Sequence, residues 1–136
     1  MKVELVPQGT LAERIRAGGV GLGGVLTPTG LGTMVEEGKD VIESNGQKYI
    51  LEKAMKAEVA LVKAYKADSK GNLVFRQTAR NFNPLIATAA DYVVAEVEEY
   101  VADGFLDPDQ IHLPGLFIDA IVLSKNGNGK NSQGEA

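Results

Sequence analysis

The sequence predicts an α/β domain with a largely parallel sheet, flanking helices and an added β-hairpin. Strand-like apolar runs alternate with short helical segments along the chain. An Asn-Gly pair separates two alternating runs, a strong hairpin signal. A length of 136 residues suits one hydrophobic core.

Lys2 to Val6 reads as a short strand, because Val3, Leu5 and Val6 run into Pro7-Gln8-Gly9-Thr10, which ends extended structure. Thr10 then stands where it can cap a helix. Glu13 falls at the third helical position of a capping box, Leu11 and Ile15 supply an apolar stripe, and Gly18-Gly19 supplies the stop. Val25 to Thr27 follows as a short strand, ahead of a Thr27-Pro28-Thr29-Gly30 loop.

Asp40 to Glu43 and Gln47 to Leu51 flank Ser44-Asn45-Gly46 as a hairpin. Ala57 to Ala67 mixes Val59, Leu61 and Val62 with alanines and lysines, and its branched apolar residues favour a strand. Asp68 to Asn72 is a turn cluster, and Leu73 to Phe75 begins a strand. Asn83-Pro84 opens a helix to about Ala90, Tyr92 to Val97 is strand-like, Pro108 starts a turn, and Leu116 to Leu123 is the last strand after Pro114-Gly115. Residues 1–124 thus form the folded portion. Residues 125–136 are a polar tail expected to be disordered.

Several chemistries are excluded by count. With no cysteine, the chain has no disulfide, thiolate nucleophile or cysteine-bound metal. A single histidine, His112, rules out a multi-histidine metal cage. A net charge of -4 and a pI near 5.0 argue against a nucleic-acid groove. Lys53, Lys56, Lys63, Lys66 and Lys70 are interspersed with Glu52, Glu58 and Asp68 and form no basic patch. The first residues lack a secretion signal and no run of about eighteen apolar residues occurs, so the expected setting is the cytoplasm, without a membrane.

Gly19-Val20-Gly21-Leu22-Gly23-Gly24 matches the bare GxGxxG pattern of dinucleotide sites. Its context is wrong, since it follows a helix and leads into a strand, and a backbone turn is the better reading. Gln8 in Pro7-Gln8-Gly9-Thr10 is more suggestive. Between a strand and a helix, its amide is placed to orient a carboxylate or thioester carbonyl, or else to satisfy turn backbone groups. In Arg80-Asn81-Phe82-Asn83-Pro84 one asparagine caps the following helix while Arg80 pairs with an acid, or the loop faces a ligand. His112 without a visible nucleophile or metal partner reads as structural, and Glu96, Glu98 and Glu99 as a solvated face.

The run from Val3 to Gly19 through Pro7-Gln8-Gly9-Thr10, the Thr27-Pro28-Thr29-Gly30 loop, Ala60 to Ala64 with Lys66-Ala67-Asp68, and Ala79-Arg80-Asn81-Phe82-Asn83-Pro84 occur in one order over Val3 to Ser124. Together they closely resemble the alpha subunit of the family I coenzyme A transferases, of the 3-oxoacid and acetate or butyrate-acetoacetate type. The resemblance implies an open α/β fold of the CoA-transferase and isomerase-like kind. It also implies a heteromer, a heterotetramer of alpha and beta subunits, that moves coenzyme A from a short-chain acyl-CoA to a carboxylic acid such as acetoacetate.

In that family a glutamate attacks the thioester, passes through an acyl anhydride and becomes a glutamyl-CoA thioester, which the second carboxylate resolves. That glutamate belongs to the beta subunit, so no catalytic residue is carried over to this chain. Coenzyme A is a substrate, and no cofactor or metal is implied. Gln8 and Gly9 are the substrate-binding residues carried over, Gln8 holding a carboxyl group and Gly9 allowing close approach; Thr27 to Gly30, Asn81 and Asn83 have weaker support as site-lining residues.

Family members carry, ahead of the Val3 to Thr10 run, a further glycine-rich stretch that this sequence lacks. The fold is therefore expected to be incomplete and the chain inactive alone. The alternative is a non-catalytic remnant or interaction module; a sugar-phosphate isomerase relative rests on architecture alone. Gly21 to Leu26 leans toward the acetate or butyrate type, with succinate and 3-oxoadipate open.

Overall fold

The computed structural model describes residues 3–125, and the polar-tail expectation beyond Lys125 lies outside them. The stretch read as the folded portion divides into two compact units, Met1–Lys56 and Ala57–Ala136.

In the first unit, Val3 to Pro7 form no strand, contrary to the sequence expectation; Lys2 lies outside the described residues. The physical reason is that an extended run becomes a strand only by pairing. The unit's one described sheet, ordered β1-β3-β2, does not take this segment up, and Val3 and Leu5 stay exposed. Helix α1 spans Gln8–Gly19, three residues earlier than a Thr10 cap would start it. Pro7 is its N-cap, with no side-chain cap bond, and Thr10 is buried inside the first turns. Glu13 turns to Arg16 instead, accepting from Nη2 at 2.7 Å, so the capping box does not form.

The helix ends at Gly19, within the expected Gly18-Gly19 stop, but the glycine that turns the chain is a later one. Leu22 N donates to the carbonyl of Ala17 at 2.9 Å and Gly21 N to that of Gly18 at 3.4 Å, with Gly21 at φ 76°. This is a Schellman arrangement with Gly21 as the left-handed residue. The GxGxxG run is thus a helix cap and the lead into β1. Gly18 is needed for a different reason: a Cβ there would sit 2.0 Å from the carbonyl oxygen of Met55.

Strands β1 (Gly24–Thr27), β2 (Val41–Ser44) and β3 (Gln47–Lys53) form an antiparallel sheet. The expected hairpin is β2-β3. Asn45 (φ 53°) and Gly46 (φ 74°) make its two-residue turn, the pair of left-handed conformations that fits strand twist. Ile50 on β3 is fully buried.

In the second unit, β4 (Ala57–Ala67) lies parallel to β6 (Ala90–Tyr100), and β6 parallel to β7 (Ala120–Leu123). Strand β5 (Leu73–Val74) pairs antiparallel with the end of β4, giving the order β5-β4-β6-β7. Parallel pairing therefore occurs in this unit, with β5 as its antiparallel edge, whereas the sheet of the first unit is wholly antiparallel. Helix α2 (Asn83–Thr88) packs on β4, with Ala87 in a core built on alternate strand residues: Val62 and Ala64 of β4, Val93 and Val97 of β6, and Phe75. The other face of the same strands carries Val59, Leu61, Tyr92 and Val122, all exposed.

The last strand is shorter than expected because Gly115–Phe117 forms a 3-10 turn. Gly115 N donates to Asn72 Oδ1 at 2.9 Å, and its Cα is pressed so closely on Lys70 that no side chain fits. Asp119 then leads into β7, its carboxylate accepting from Val93 N at 2.7 Å.

Candidate functional site

The polar edge at Pro7-Gln8-Gly9 is built by α1. Pro7 is extended, at φ -56° and ψ 139°, and its carbonyl accepts the first helical bond, from Leu11 N at 2.9 Å. The N–H groups of the first turn have no partner within the helix. No acidic residue occupies that turn and no side chain caps it. Gln8 and Gly9 are both exposed there, and a side chain at Gly9 would meet nothing within 4 Å. Packing inside this chain therefore does not explain a glycine at position 9.

The helix is held by charge at its middle. Arg14 Nε donates to the carbonyl of Lys53 at 2.9 Å, and its Nη1 meets Glu4 at 3.0 Å and Glu52 at 3.7 Å. Glu52 is buried on β3 and accepts from Lys39 Nζ at 2.7 Å. The sequence shows Glu52 only as one acid among lysines, and the network goes unseen there. The available signal was strand parity, since Glu52 shares the inward face of β3 with Ile50. The Thr27 to Gly30 loop closes on itself: Thr27 Oγ1 accepts from Thr29 N at 3.1 Å, and Gly30 adopts φ 96°.

In the second unit, neither asparagine of the Arg80 to Pro84 run caps α2; its N-cap is Phe82. Asn83 instead stitches β4 to the preceding turn, Oδ1 accepting from Lys63 N at 3.0 Å and Nδ2 donating to the carbonyl of Ala79 at 2.9 Å. Asn81 is exposed. Arg80 pairs with no acid among the described residues but places its guanidinium against His112 Nε2. The other ring nitrogen, Nδ1, accepts from Phe75 N at 2.9 Å, so His112 ties its loop to the core. Burial, and secondarily the Arg80 charge, hold its pKa below the usual histidine value.

The tempting glutamates are each paired: Glu96 with Lys63, Glu98 with Arg76 and Glu99 with Lys66, at 3.8, 2.6 and 3.1 Å. Among the described residues no group of three His, Cys, Asp or Glu side chains is gathered to hold a metal ion. No helix among them is long and apolar enough to cross a membrane.

The fold and this edge define an α/β protein in which one unit carries a mixed open sheet and the other offers hydrogen-bond donors at the start of α1. The family model for coenzyme A transferase matches residues 1–124, and the chain belongs to that family. It is 59% identical over 121 residues to the A-type subunit of the succinyl-CoA:3-ketoacid coenzyme A transferase of Helicobacter pylori (strain J99 / ATCC 700824), covering 89% of this chain and 52% of that protein. To the alpha subunit of the acetate CoA-transferase of Escherichia coli (strain K12) it is 54% identical over 125 residues, 92% of this chain and 57% of that one. The chain thus spans about half the length of these curated relatives. The solved acyl-CoA transferase YdiF from Escherichia coli O157:H7 shares the fold, with a TM-score of 0.84 at 23% identity over 91% of this chain and 28% of that one.

Proposed function

We propose that this chain serves as part of the alpha subunit of a coenzyme A transferase, moving coenzyme A from a short-chain acyl-CoA to a carboxylate such as acetoacetate. The observation that carries the reading is the start of α1, where Gln8 and Gly9 stand exposed on a helix whose first turn has neither a capping side chain nor an acid. A carboxyl group is the complementary ligand for such donors. Gln8 adds an amide N–H without a charge that would compete with it. Gly9 leaves the approach open, and Thr27 to Gly30 of the same unit are secondary candidates for the lining.

The covalent work falls to a glutamate of the beta subunit. Its carboxylate oxygen attacks the thioester carbonyl and the coenzyme A thiolate leaves, giving an acyl-glutamyl anhydride. The thiolate then attacks the glutamyl carbonyl, the acyl group departs as a free carboxylate, and a glutamyl-CoA thioester remains for the second acid to resolve by the reverse steps. In this scheme Gln8 holds a carboxyl group in place while charge moves. Coenzyme A is substrate, no cofactor is needed, and the assembly is a heterotetramer working in the cytoplasm. Identities of 59% and 54% to a succinyl-type and an acetate-type relative are too close to choose the acyl donor.

The test is reconstitution. The chain is co-expressed with the remaining half of an alpha-type relative and with its beta partner, and acetoacetyl-CoA formation from acetoacetate is followed with acetyl-CoA or succinyl-CoA as donor. Turnover above that of the beta partner by itself supports the reading; a stable assembly without turnover on any short-chain acyl-CoA refutes it.

A further inference from the structure

Arg80 and His112 meet as two donors. The Phe75 N–H donates to His112 Nδ1 at 2.9 Å, so Nδ1 presents its lone pair. Burial and the Arg80 charge hold the histidine pKa below 6.5, so at neutral pH the ring is uncharged and its single proton sits on Nε2. The Arg80 guanidinium lies against that same Nε2. A guanidinium has only N–H donors and no acceptor, so neither group satisfies the other.

No acid among the described residues answers this pair. Glu98 is taken by Arg76 at 2.6 Å, and Asp107, in the loop before His112, turns its carboxylate to the Asp109 N–H at 3.0 Å. Both donors stand on backbone fastened to the core. His112 N donates to the carbonyl of the fully buried Leu73 at 3.0 Å. Arg80 ends the 3-10 turn Gln77–Arg80, whose first residue holds a left-handed φ of 52° although it is not glycine, a conformation that costs energy. The Asn83 amide fixes the neighbouring Ala79 carbonyl at 2.9 Å. Arg80 is exposed and His112 half-buried, so solvent reaches the guanidinium while the ring is held in place.

We propose that Arg80 and His112 form a binding site for an oxyanion, the carboxylate or phosphate group of a ligand, which accepts from an Arg80 N–H and from His112 Nε2–H together. The bound anion takes the place of the direct contact between the two donors and supplies the acceptor that both lack. Hydrogen bonds from a guanidinium to an oxyanion are among the strong ones, because both partners are charged. The anion also offsets the positive charge that otherwise faces the ring. The site lies within the second unit, and its test needs no turnover.

The full chain is followed by nuclear magnetic resonance at the His112 ring nitrogens while sodium acetate or sodium phosphate replaces sodium chloride at constant ionic strength, which keeps general screening the same. At neutral pH the ring is expected in the Nε2–H form. The anion is expected to shift the Nε2 resonance to saturation and to raise the ring's titration midpoint, because it offsets the Arg80 charge. Arg80→Met, at an exposed position that leaves the chain folded, is expected to weaken the response by about tenfold or more, the worth of a hydrogen bond to a charged group. Arg76→Met, which removes an arginine already paired with Glu98, leaves it unchanged. A response to acetate alone assigns a carboxylate ligand, to phosphate alone a phosphoryl group, and to both a general oxyanion site. A ring in the Nδ1–H form, no saturable response to either anion beyond that of chloride, or an equal response in Arg80→Met would overturn the assignment.

Discussion

Lys39 and Glu52 form the shortest contact in a charge network at the base of α1: Nζ donates to Oε1 at 2.7 Å, with the glutamate buried and the lysine side chain 19% exposed. Arg14 approaches the same carboxylate from the helix at 3.7 Å, and Glu4 reaches both cations. The network joins the helix that presents Gln8 to strand β3 and to the loop after Gly30. Among the described residues no buried side-chain polar atom lacks a partner, so each of these charges is compensated.

Glu52→Ala is therefore expected to cost more than a surface substitution. It leaves two partly buried cations facing each other, a loss of about 3 kcal/mol, at the low end for a broken buried pair because Lys39 keeps some water. The urea midpoint of the chain reports it. Glu52→Met combined with Lys39→Met should recover much of the loss, and a single-variant cost under about 0.5 kcal/mol, the surface value, would contradict the network's role.

His112 makes stability depend on pH. Its pKa is depressed in the fold by burial and by Arg80, so protonation favours the unfolded chain. The contribution is complete above the ordinary value of 6.5 and is lost as pH falls through the lowered folded value. Denaturant midpoints between about pH 8 and pH 5 should drop below 6.5 for the natural chain and drop less for His112→Gln. Arg80→Met should raise the histidine's titration midpoint in a nuclear magnetic resonance titration. No movement would mean that the guanidinium does not act on the ring.

Two glycines of α1 should respond in opposite ways to alanine. Gly18→Ala drives a methyl into the Met55 carbonyl and is expected to destabilise by about 1–3 kcal/mol despite alanine's helix preference. Gly9→Ala meets open space and is expected to stabilise the isolated chain by about 0.4–1 kcal/mol. In the reconstituted enzyme the same Gly9→Ala should reduce turnover, because the room it fills is the ligand's approach. Thermal melts of the chain and rates of the assembly read the two effects separately.

Local patterns were legible where the chain supplies its own partner. Asn45-Gly46 with alternating neighbours specified the β2-β3 hairpin, and the branched residues of Ala57 to Ala67 specified β4. Val3 to Val6 has the same apolar content and is not a strand, because pairing is a tertiary event that composition does not report. Thr10 looked like a cap because its spacing to Glu13 fits, yet Pro7 starts the helix earlier and burial claims Thr10. The candidate site was legible as the Pro7 to Thr10 run, whereas the buried Glu52 that anchors its helix required knowing which face of β3 turns inward. Asn83 showed its polarity in the sequence but not its partner, the Lys63 amide twenty residues away.

The most direct test of the account is the effect of Gln8→Ala and Gln8→Glu on the reconstituted enzyme, measured as kcat/KM for the carboxylate acceptor alongside the yield of assembled complex. Loss of a hydrogen bond to a charged group is worth about 1.5–3 kcal/mol, so Gln8→Ala should lower kcat/KM roughly 10- to 100-fold at unchanged assembly. Gln8→Glu should lower it further by setting a like charge against the acceptor. Unchanged kcat/KM in both variants, or losses that only follow a fall in assembly, would contradict the assignment of Gln8 as the residue that holds the substrate's carboxyl group.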